Sequence, residues 1–511
     1  MKTRYAVGID IGTSATKTTI YSEQGEKIAS ASAEYQLYQP QNGWAEQDPQ
    51  DWWKATVDTL RASLSSARIH AEDIVGIGLS GQMHGLVMLD EHDRVLRKSI
   101  IWCDGRTEKE CEEITQLVGQ ERLLEITANP ALPGFTASKI RWVQKNEPDL
   151  YKQCRHILLP KDYIRFMLTG EYATEVSDAS GMQLLDVPNR CWSEEICTAL
   201  NIDTKLLPTM HESVEITGRV HSYAASATGL AAGTPVVGGA GDNAASAIGI
   251  GVVREGQAFT TIGTSGVTFA HTDSVHIDPK GRVHTFCSAV PGCWTVMSCT
   301  LAAGLSLKWF RDTFCESEKA QAAADGQEVY DLLTAKAKEV PIGANRLIYL
   351  PYLMGERSPI LDVNSRGVFF GLSAIHTKYD MLRAVMEGVI YSQRHCLDVL
   401  REMQVAPKQL RACGGGAASP LWRQMLADVC SCAVVTAVST EGGSFGAAIL
   451  AFVGTGVFDD VRTACDKLIA IRAPQQPNLE DAKRYEAYYE VYRSLYPALR
   501  EEFSRLAAIK A

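Results

Sequence analysis

A chain of 511 residues is longer than one hydrophobic core usually supports, so two domains of roughly 250 residues each are expected. Its composition, 46% hydrophobic and 22% charged, is ordinary for a globular protein in water. The net charge of −10 and the lack of any run of lysines and arginines argue against nucleic acid as a partner. The sequence also shows no targeting segment and no apolar stretch dense enough to span a membrane.

Fourteen cysteines are scattered along the chain without a Cys-x-x-Cys pair. A zinc or redox site is therefore not expected. The pattern predicts reduced, mostly buried thiols in a cytoplasmic protein.

The first half of the chain has the alternating pattern of an α/β domain. Residues 4–35 are typical of successive strands, and residues 74–79 are typical of a buried strand. Between them, Asp48 is placed to cap a helix and Pro49 to occupy its first turn, over about residues 49–65. Strands interrupted by amphipathic helices continue to about residue 240, which favours an α/β architecture.

The second half repeats this opening from Ala258 and then predicts several helices, over residues 301–312, 379–401, 420–429, 444–454 and 481–506. The last helix carries four tyrosines at helical spacing, namely Tyr485, Tyr488, Tyr492 and Tyr496. This stripe indicates a packing face against the body of the protein or against a second subunit, so a homodimer is possible. The boundary near residues 240–258 is rich in glycine and alanine, which suits a hinge at least as well as a flexible tether.

The tetrad Ile-Gly-Thr-Ser occurs twice, at residues 11–14 and 262–265, about half the chain apart. Each copy lies between two short apolar or β-branched runs, which predicts a strand, a tight glycine turn and a second strand. Backbone N–H groups and hydroxyls clustered at such a turn can bind a phosphate. The repeat therefore predicts two similar halves that face one phosphate chain.

The residue before the tetrad differs between the two copies, because Asp10 precedes the first and Thr261 the second. A carboxylate at the end of a buried strand is unfavourable without a partner. Asp10 either bonds the backbone of its own turn or serves a hydrated Mg²⁺, which binds few carboxylates and keeps several waters. The phosphate-type turn beside Asp10 favours the magnesium role.

Asp242 follows a strand and the glycine-rich residues 238–241, and it opens a segment of small side chains. Asp is favoured as the N-cap of a helix, but a carboxylate beside glycines also has room to take a proton from an attacking hydroxyl. Phosphoryl transfer needs little more from a protein than a positioned base and electrostatic support. The residues alone leave the cap and the base level, and the two roles are compatible.

Polar residues follow two further strand ends. Gln82, Met83 and His84 lie between two glycines, where the amide and the imidazole can bond hydroxyls and the thioether offers an apolar wall. Asp104 and Arg106 follow the next strand, and they either grip a polyol or pair with each other. Three glycines at residues 414–416 precede a helix and let a flat base or a phosphate approach the backbone.

Taken together, these segments resemble the FGGY family of carbohydrate kinases, and the match covers nearly the whole chain in order. It lies in residues 8–14, 134–142, 160–163, 241–243, 262–266, 355–357, 367–372 and 414–419. Within the family, residues 44–49, 81–85 and 133–136 resemble the bacterial members that phosphorylate D-xylulose. The Asn-Gln-Arg-Glu stretch of glycerol kinases is absent where Gln82 stands. Ser444 and Phe445 depart from the family pattern, but they lie in a helix expected to serve packing.

The resemblance implies an α/β fold of two similar actin/hexokinase-like (ribonuclease H-like) domains with a cleft between them. Residues 1–245 would form an N-terminal domain that mainly binds sugar, residues 255–450 a C-terminal domain that mainly binds ATP, and residues 451–511 a helical extension of the second domain. The implied reaction is phosphorylation of D-xylulose at O5, with Mg²⁺ accompanying ATP. Another ketose, a polyol or a sugar acid stays open as the substrate. A non-catalytic ATP-driven switch or a sugar-sensing protein on the same core is less favoured.

The resemblance also implies a role for particular residues. Asp242 would be the catalytic base on the terminal hydroxyl of the sugar, and Asp10 a second catalytic residue that holds Mg²⁺ through water. The implied sugar ligands are Gln82, Met83, His84, Asp104, Arg106 and Asn243. The implied nucleotide ligands are Gly12, Thr13, Gly263, Thr264, Gly304, Lys308, Gly415 and Gly416.

Overall fold

The computed structural model describes residues 3–438 and 441–509. The strands of the first half are β1 (Tyr5–Ile11), β2 (Ala15–Ser22), β3 (Lys27–Glu34), β4 (Glu46–Gln47), β5 (Ile74–Gly81), β6 (Val87–Leu89), β7 (Ser99–Ile100), β8 (His156–Leu158), β9 (Ala173–Glu175), β10 (Leu185–Asp186), β11 (Cys191–Trp192), β12 (Thr209–His211), β13 (Ile216–Arg219), β14 (Pro235–Val237) and β15 (Ala240–Gly241). The helices of this half are α1 (Pro49–Ala67), α2 (Glu108–Val118), α3 (Gln120–Thr127), α4 (Thr136–Asn146), α5 (Pro148–Gln153), α6 (Pro160–Thr169), α7 (Val176–Ala179), α8 (Glu194–Ala199), α9 (Ser222–Thr228) and α10 (Asp242–Gly249).

The strands of the second half are β16 (Gln257–Ile262), β17 (Gly266–Thr272), β18 (His284–Cys287), β19 (Trp294–Thr300), β20 (Ile348–Leu350), β21 (Val368–Phe370), β22 (Gln409–Cys413) and β23 (Ala433–Val435). Its helices are α11 (Gly304–Phe314), α12 (Glu316–Asp325), α13 (Val329–Glu339), α14 (Lys378–Glu402), α15 (Pro420–Cys430), α16 (Gly443–Gly454), α17 (Val461–Leu468) and α18 (Leu479–Ala507). Short 3-10 turns lie at Ala71–Asp73, Ser180–Met182, Thr204–Leu206 and Gly415–Ala418.

The first half is built on one mixed sheet with the strand order β13-β14-β5-β1-β2-β3. β1, β2 and β3 form an antiparallel meander, while β5 lies parallel to β1 on its other side and pairs with β14. The short β15 also pairs in parallel with β5. The carboxyl ends of β1, β5 and β15 therefore meet at one edge of the sheet. This edge carries Asp10, residues 82–84 and Asp242, and it is where ligands of such sheets bind.

The second half repeats this topology in a sheet with the order β18-β19-β17-β16-β22-β23. β16, β17 and β19 form the antiparallel meander, and β22 and β23 run parallel to β16 on its other side. Helices cover both sheets, as expected for layers that must bury an apolar face. The predicted fold class of two similar α/β domains is confirmed.

The predicted helices exist, with ends that differ by a few residues. Asp48 caps α1 by accepting from the Gln50 N–H, and Pro49 is its first residue, as predicted. The helix expected over residues 301–312 begins later, at Gly304, because the preceding strand continues to Thr300. Turn chemistry at a helix start is thus a local property that the sequence carries, whereas the length of the strand before it depends on pairing.

α16 comes from the second half of the chain but packs over β1 and β5 of the first sheet. Gly8 and Gly78 permit this approach, since a Cβ atom there would lie 1.8 Å from the Ser444 carbonyl oxygen and 1.9 Å from that of Ala447. α10 packs against α16 as closely at Gly446. The sequence groups residues 255–450 as one domain, whereas the last helix of that range completes the core of the first sheet. The numbered domain bounds themselves stay a prediction.

Ser444 and Phe445 lie in this helix, and both contact the first sheet. The Ser444 hydroxyl lies 3.1 Å from the Tyr21 hydroxyl. The Phe445 ring lies 4.7 Å from the Tyr21 ring, between centroids. The expected packing role of these two residues is confirmed.

The tyrosines of α18 pack inward. The rings of Tyr485, Tyr489 and Tyr492 are buried at 6.3, 6.0 and 5.5 Å from the Tyr391 ring of α14. The tyrosine stripe thus packs against the body of the protein, although Tyr489 rather than Tyr488 lies at its centre. A second subunit stays a prediction.

Two further observations concern the chain as a whole. Within residues 3–438 and 441–509, none of the helices combines the length and the apolar character needed to cross a lipid bilayer. All fourteen cysteines are free thiols, and most are buried, with Cys103 and Cys191 exposed. The expectation of mostly buried thiols is confirmed.

Candidate active site

The two Ile-Gly-Thr-Ser tetrads lie at the tips of two hairpins, β1–β2 and β16–β17, as predicted. The two turns differ in length by one residue, because Ile11 pairs with Thr16 whereas Ile262 pairs with Gly266. The tetrads are identical, so this difference comes from the register of the flanking strands. The second turn is the tighter one.

The glycine of each turn is bonded within the turn. The Gly12 N–H donates to the Ala15 carbonyl oxygen at 3.0 Å, and the Gly263 N–H donates to the Ser265 carbonyl oxygen at 3.1 Å. The Thr13 hydroxyl oxygen accepts from the Trp102 indole N–H at 2.9 Å, which leaves its own hydrogen available for donation. The phosphate donors at these turns would therefore be the threonine hydroxyls and the N–H groups that follow the glycines.

Asp10 is the second-last residue of β1, and its carboxylate lies at the start of α16. Its Oδ1 accepts from Ser80 Oγ at 2.7 Å, and a Cβ atom on Gly443 would lie 2.8 Å from its Oδ2. Burial raises the pKa of Asp10, although the bond from Ser80 opposes this. Asp10 is thus held from the neighbouring strand rather than by its own turn, the alternative that the sequence left open.

Asp242 is the first residue of α10, and Gly241 takes the cap position. The alternative that Asp242 is the N-cap is therefore wrong. Its Oδ1 accepts from the Asn243 N–H at 2.7 Å and from the Asn243 side-chain amide at 3.0 Å. Burial, and next to it the charge of Asp10, raise the pKa of Asp242 to about 7. A carboxyl that titrates near neutrality suits a general base.

Asp10 and Asp242 together fit a divalent cation. The charge of Asp10 raises the pKa of Asp242, so the two carboxylates repel each other. A cation beside them would relieve this repulsion. Mg²⁺ uses few carboxylates and retains water, which agrees with one strand-end carboxylate beside a phosphate turn.

His84 adopts φ +70°, an unusual conformation for a residue with a side chain. Its Nδ1 lies 2.8 Å from the Gly181 carbonyl oxygen, which can only accept, so Nδ1 carries the hydrogen. Burial holds the pKa of His84 well below its usual range, and the ring is neutral. Nε2 is then an acceptor suited to a sugar hydroxyl. Met83 lies beside it, with its sulfur 3.0 Å from where a Cβ on Gly241 would stand.

Gln82 is linked to the turn of the first hairpin through Gln47. Its side-chain amide donates to Gln47 Oε1 at 2.7 Å, and the Gln47 amide donates to the Thr13 carbonyl oxygen at 2.6 Å. Gln82 is only 1% exposed. Its predicted contact with the sugar stays a prediction, whereas its link to the turn is a contact that the sequence did not reveal.

Asp104 and Arg106 form the ion pair that the sequence left open as one alternative. Arg106 Nη2 lies 2.6 Å from Asp104 Oδ2, and Nη1 lies 2.8 Å from Glu46 Oε1. The guanidinium lies 3.7 Å from the centre of the Trp44 ring. Both side chains are buried. Through Glu46, the pair links the loop after β7 to β4. Direct contact of these two residues with a sugar stays a prediction.

Lys139 joins the loops of His84 and Gly134, a role that the sequence did not reveal. Its Nζ donates to the carbonyl oxygens of His84 at 2.7 Å and of Gly134 at 2.8 Å. Burial lowers its pKa to about 7. The signal in the sequence is that Lys139 lies in a segment matched to the family. A buried cation needs specific acceptors, so a lysine there is expected to bond nearby carbonyl oxygens.

Arg357 approaches the same loops from the second half of the chain. Its Nη2 would lie 3.9 Å from a Cβ on Gly134, and its charge contributes to the low pKa of His84. Within residues 3–438 and 441–509, no carboxylate forms an ion pair with this guanidinium. The sequence motif at residues 355–357 was the signal, but nothing in it indicated a reach across the cleft.

A cavity of 370 Å³ opens between the second hairpin, the start of α11 and the 3-10 turn at residues 415–418. The predicted nucleotide ligands of the second half all line it, namely Gly263, Thr264, Gly304, Lys308, Gly415 and Gly416. Ile262, Leu305 and Trp422 add apolar walls suited to a flat base. A Cβ on Gly415 would meet nothing within 4 Å, so a ligand has room there. Gly12 and Thr13 lie on the other hairpin, and nucleotide binding by these residues stays a prediction.

A second group of metal-ligand residue types lies at the far end of β17 from its turn. The ligand atoms of His271, Asp273 and Cys293 lie within 4.8 Å of one another. Arg462 Nη2 already lies 2.6 Å from Asp273 Oδ1 and 3.5 Å from Cys293 Sγ. A metal ion would have to displace this guanidinium, and we assign none to the group.

Comparison with known proteins agrees with this arrangement. The N-terminal domain model of the FGGY family of carbohydrate kinases matches residues 5–249, and the C-terminal domain model matches residues 258–455. A xylulose kinase of Bacillus subtilis (strain 168) is 38% identical over 493 residues, which are 96% of this chain and 97% of that protein. A gluconokinase of Bacillus licheniformis is 32% identical over 507 residues, 99% of this chain and 98% of that protein. The crystal structure of xylulose kinase from Rhodospirillum rubrum matches with a TM-score of 0.90 at 31% identity, covering 98% of this chain and 100% of that one.

A carboxyl whose pKa is raised to about 7 and a cavity of 370 Å³ lined by the second hairpin are features expected of a phosphotransferase. Since both domain models match in order over most of its length, the chain belongs to the FGGY family of carbohydrate kinases. The protein is therefore an enzyme, and its family transfers a phosphoryl group from ATP to a carbohydrate.

Proposed function

We propose that this kinase phosphorylates D-xylulose at O5, with Asp242 as the general base and ATP as the donor. The observation that carries the proposal is the position of Asp242. The pKa of its carboxyl is raised to about 7. The residue before it, Gly241, lies against the Met83 side chain. The near full-length similarity to a xylulose kinase supports the choice of sugar.

In this proposal the first half orients the sugar. His84 Nε2 accepts a hydrogen bond from a hydroxyl of the substrate. Met83 contacts the carbon chain of the sugar, and the O5 hydroxyl faces Asp242. Asp242 takes the O5 proton while O5 bonds to the γ-phosphorus of ATP and the bond from that phosphorus to the bridging oxygen of ADP breaks. The Thr13 and Thr264 hydroxyls donate to phosphate oxygens, where electrostatic support counts most.

Asp10 is the residue that would hold Mg²⁺, mainly through water. When bound with ATP, the ion supplies neutralisation of the phosphate charge. Asp10 is prepared for this by Ser80, which fixes one carboxylate oxygen. Residues 1–245 would bind mainly the sugar and residues 255–450 mainly ATP, with closure between them excluding water. We place the enzyme in the cytoplasm, where its free thiols stay reduced.

Asp242→Asn tests the base. The amide keeps the shape of the side chain but cannot take the proton, so kcat should fall by about 10²- to 10⁴-fold. The dissociation constants of D-xylulose and ATP, measured by calorimetry, should stay close to those of the parent enzyme. Asp460→Asn is the matched control, because Asp460 caps α17 and asparagine is an equally good cap. A kcat that survives Asp242→Asn would remove Asp242 as the base.

A sugar acid is the second candidate substrate, and Arg357 is the observation that favours it. Its guanidinium lies near the loops of His84 and Gly134 and is suited to a carboxylate. The similarity to a gluconokinase points the same way. ADP release should be measured with D-xylulose, D-ribulose, D-gluconate and glycerol. A higher kcat/KM for D-gluconate, lost selectively in Arg357→Leu, would establish this candidate and overturn D-xylulose.

A further inference from the structure

Five charged side chains are buried together behind the sugar side of the cleft, and we call them the buried charge cluster: Lys161, Asp162, Arg165, Glu175 and Asp178. Lys161 Nζ lies 2.8 Å from Asp162 Oδ1 and 3.2 Å from both Glu175 Oε1 and Asp178 Oδ2. Arg165 Nη1 lies 2.8 Å from Asp162 Oδ1. Buried ion pairs of this kind are seldom more stabilising than apolar side chains of similar volume. The contribution of the cluster is therefore sought in the neighbouring segments that it holds in place.

The cluster combines two cationic side chains with three carboxyl groups. Burial raises the pKa of Asp178 well above its usual range. Burial also acts on Asp162, but Lys161 and Arg165 outweigh it and keep its pKa low. The ion pairs within the cluster hold its members in one arrangement.

Two members of the cluster reach the loop that precedes Asp242. Arg165 Nη2 donates to the Gly238 carbonyl oxygen at 2.5 Å. Glu175 Oε1 accepts from Ser177 Oγ at 3.0 Å, and Ser177 Oγ in turn accepts from the Gly241 N–H at 3.2 Å. The residue immediately before Asp242 is thus bonded, through one hydroxyl, to the cluster.

A third connection holds the middle of the same loop. Ser213 Oγ donates to Glu175 Oε2 at 3.0 Å, and the Ser213 carbonyl oxygen accepts from the Gly239 N–H at 2.9 Å. Gly239 has φ +70°, and a Cβ there would lie 2.1 Å from the Leu79 carbonyl oxygen. Glycine-rich backbone has high conformational freedom, so this loop depends on outside contacts for a fixed shape. The cluster supplies them at both ends and in the middle.

The cluster also lies against the end of β5, next to residues 82–84, which are predicted to bind the sugar. The Lys161 Cβ atom would be 3.0 Å from a Cβ on Gly81, the residue before Gln82. The two segments that border the sugar in the proposed function therefore rest on one buried group. Their relative position depends on it.

We propose that the buried charge cluster positions the base, with Ser177 and Arg165 as positioning residues that hold residues 238–241 and thereby Asp242. The inference rests on the proposed role of Asp242 as general base. A displacement of a reacting group by about 1 Å can lower a rate about 10²-fold, so a loosened loop should reduce kcat strongly. Substrate affinity should change little, because neither residue contacts the predicted ligand positions.

Ser177→Ala removes the acceptor of the Gly241 N–H. We expect kcat to fall by about 10- to 100-fold, with KM for D-xylulose and ATP nearly unchanged. The carboxyl of a loosened Asp242 is better hydrated, although Asp10 still faces it, so the acid limb of kcat should move to lower pH. Arg165→Lys should act in the same direction, because lysine cannot replace the fork that bonds both the Ala173 and Gly238 carbonyl oxygens.

Two further variants serve as controls. Ser63→Ala removes a buried serine of α1 whose hydroxyl donates to the Thr18 carbonyl oxygen at 3.2 Å, far in sequence from the loop. Its kcat and pH profile should match those of the parent enzyme. Ser177→Thr retains a hydroxyl and should recover most of the kcat lost in Ser177→Ala. All variants are compared at equal folded fraction, determined by circular dichroism and thermal melting.

The outcomes separate this inference from the proposed function. A lower melting temperature with unchanged kcat and pH profile in Ser177→Ala and Arg165→Lys would show that the cluster only stabilises the fold, and would overturn the inference. Equal losses in Ser177→Thr and Ser177→Ala would overturn it as well. Full turnover in Asp242→Asn would instead remove the base itself, whatever the serine variants do.

Discussion

The two hairpins have the same tetrad and the same place in their sheets, but their side chains are satisfied differently. In the second hairpin, Thr261 Oγ1 accepts from the Val267 N–H at 3.0 Å, so the side chain before the tetrad is used within the hairpin. In the first, Asp10 is bonded by Ser80 of the neighbouring strand and faces the start of α16. The repeated backbone provides two phosphate-type tips. The difference before the tetrad places a carboxylate beside the first turn and a hydroxyl beside the second.

Replacing each of these two side chains by one of similar shape is the strongest way to break this comparison. Asp10→Asn should lower kcat by about 10²- to 10³-fold, because it removes the charge beside the transferred phosphate. It should also raise the Mg²⁺ concentration needed for half-maximal activity. Thr261→Val should lose only one hydrogen bond, worth about 1 kcal/mol of stability, with kcat nearly unchanged. Steady-state kinetics with a Mg²⁺ titration would check both, and equal losses in the two variants would contradict the distinction.

The glycine that opens the helix beside each hairpin gives a second test. A Cβ on Gly443 would lie 2.8 Å from Asp10 Oδ2, whereas a Cβ on Gly304 would lie 2.6 Å from the Gly263 carbonyl oxygen. Gly443→Ala should therefore lower kcat about tenfold by displacing the carboxylate. Gly304→Ala should instead raise KM for ATP by a similar factor, because it disturbs the nucleotide cavity. If both variants changed only KM for ATP, the two hairpins would share one role.

The pH profile gives the smallest but most direct comparison. Asp242 must be deprotonated to act as a base, so kcat/KM should rise with pH through about 7, the pKa to which burial and Asp10 raise it. Asp10→Asn removes a charge that raises this pKa, so the acid limb should move to lower pH. Thr261→Val should leave the limb in place. A shift to higher pH in Asp10→Asn would contradict the Coulombic link between the carboxylates.

Local features of the site were predictable from the sequence. The hairpins and the Asp48 cap follow from turn chemistry and periodicity over a few residues. The glycines that line the cavity of the second half were implied by the resemblance to the family. Asp10 and Asp242 were recognisable as candidate site residues because a carboxylate beside glycines at a strand end is unusual. Comparison with known proteins then established the family.

Contacts between distant segments were not predictable. The bond of Lys139 to the His84 carbonyl oxygen joins residues 55 positions apart, and nothing in either segment indicates the other. Spacing also cannot distinguish a ligand from an ion pair, which is why two alternatives stood for Asp104 and Arg106. The length of the first turn was not evident either, since strand register rather than the tetrad sets it.

The crossing of α16 has a consequence for how the protein is made. Gly8 and Gly78 of the first sheet are shaped to receive this helix, which ends at Gly454. While the ribosome is still synthesising the second half, one face of the first sheet has no cover, and its apolar side chains stay open to water or to chaperones. The N-terminal half thus completes its core only when most of the chain has emerged, and the two halves finish folding together.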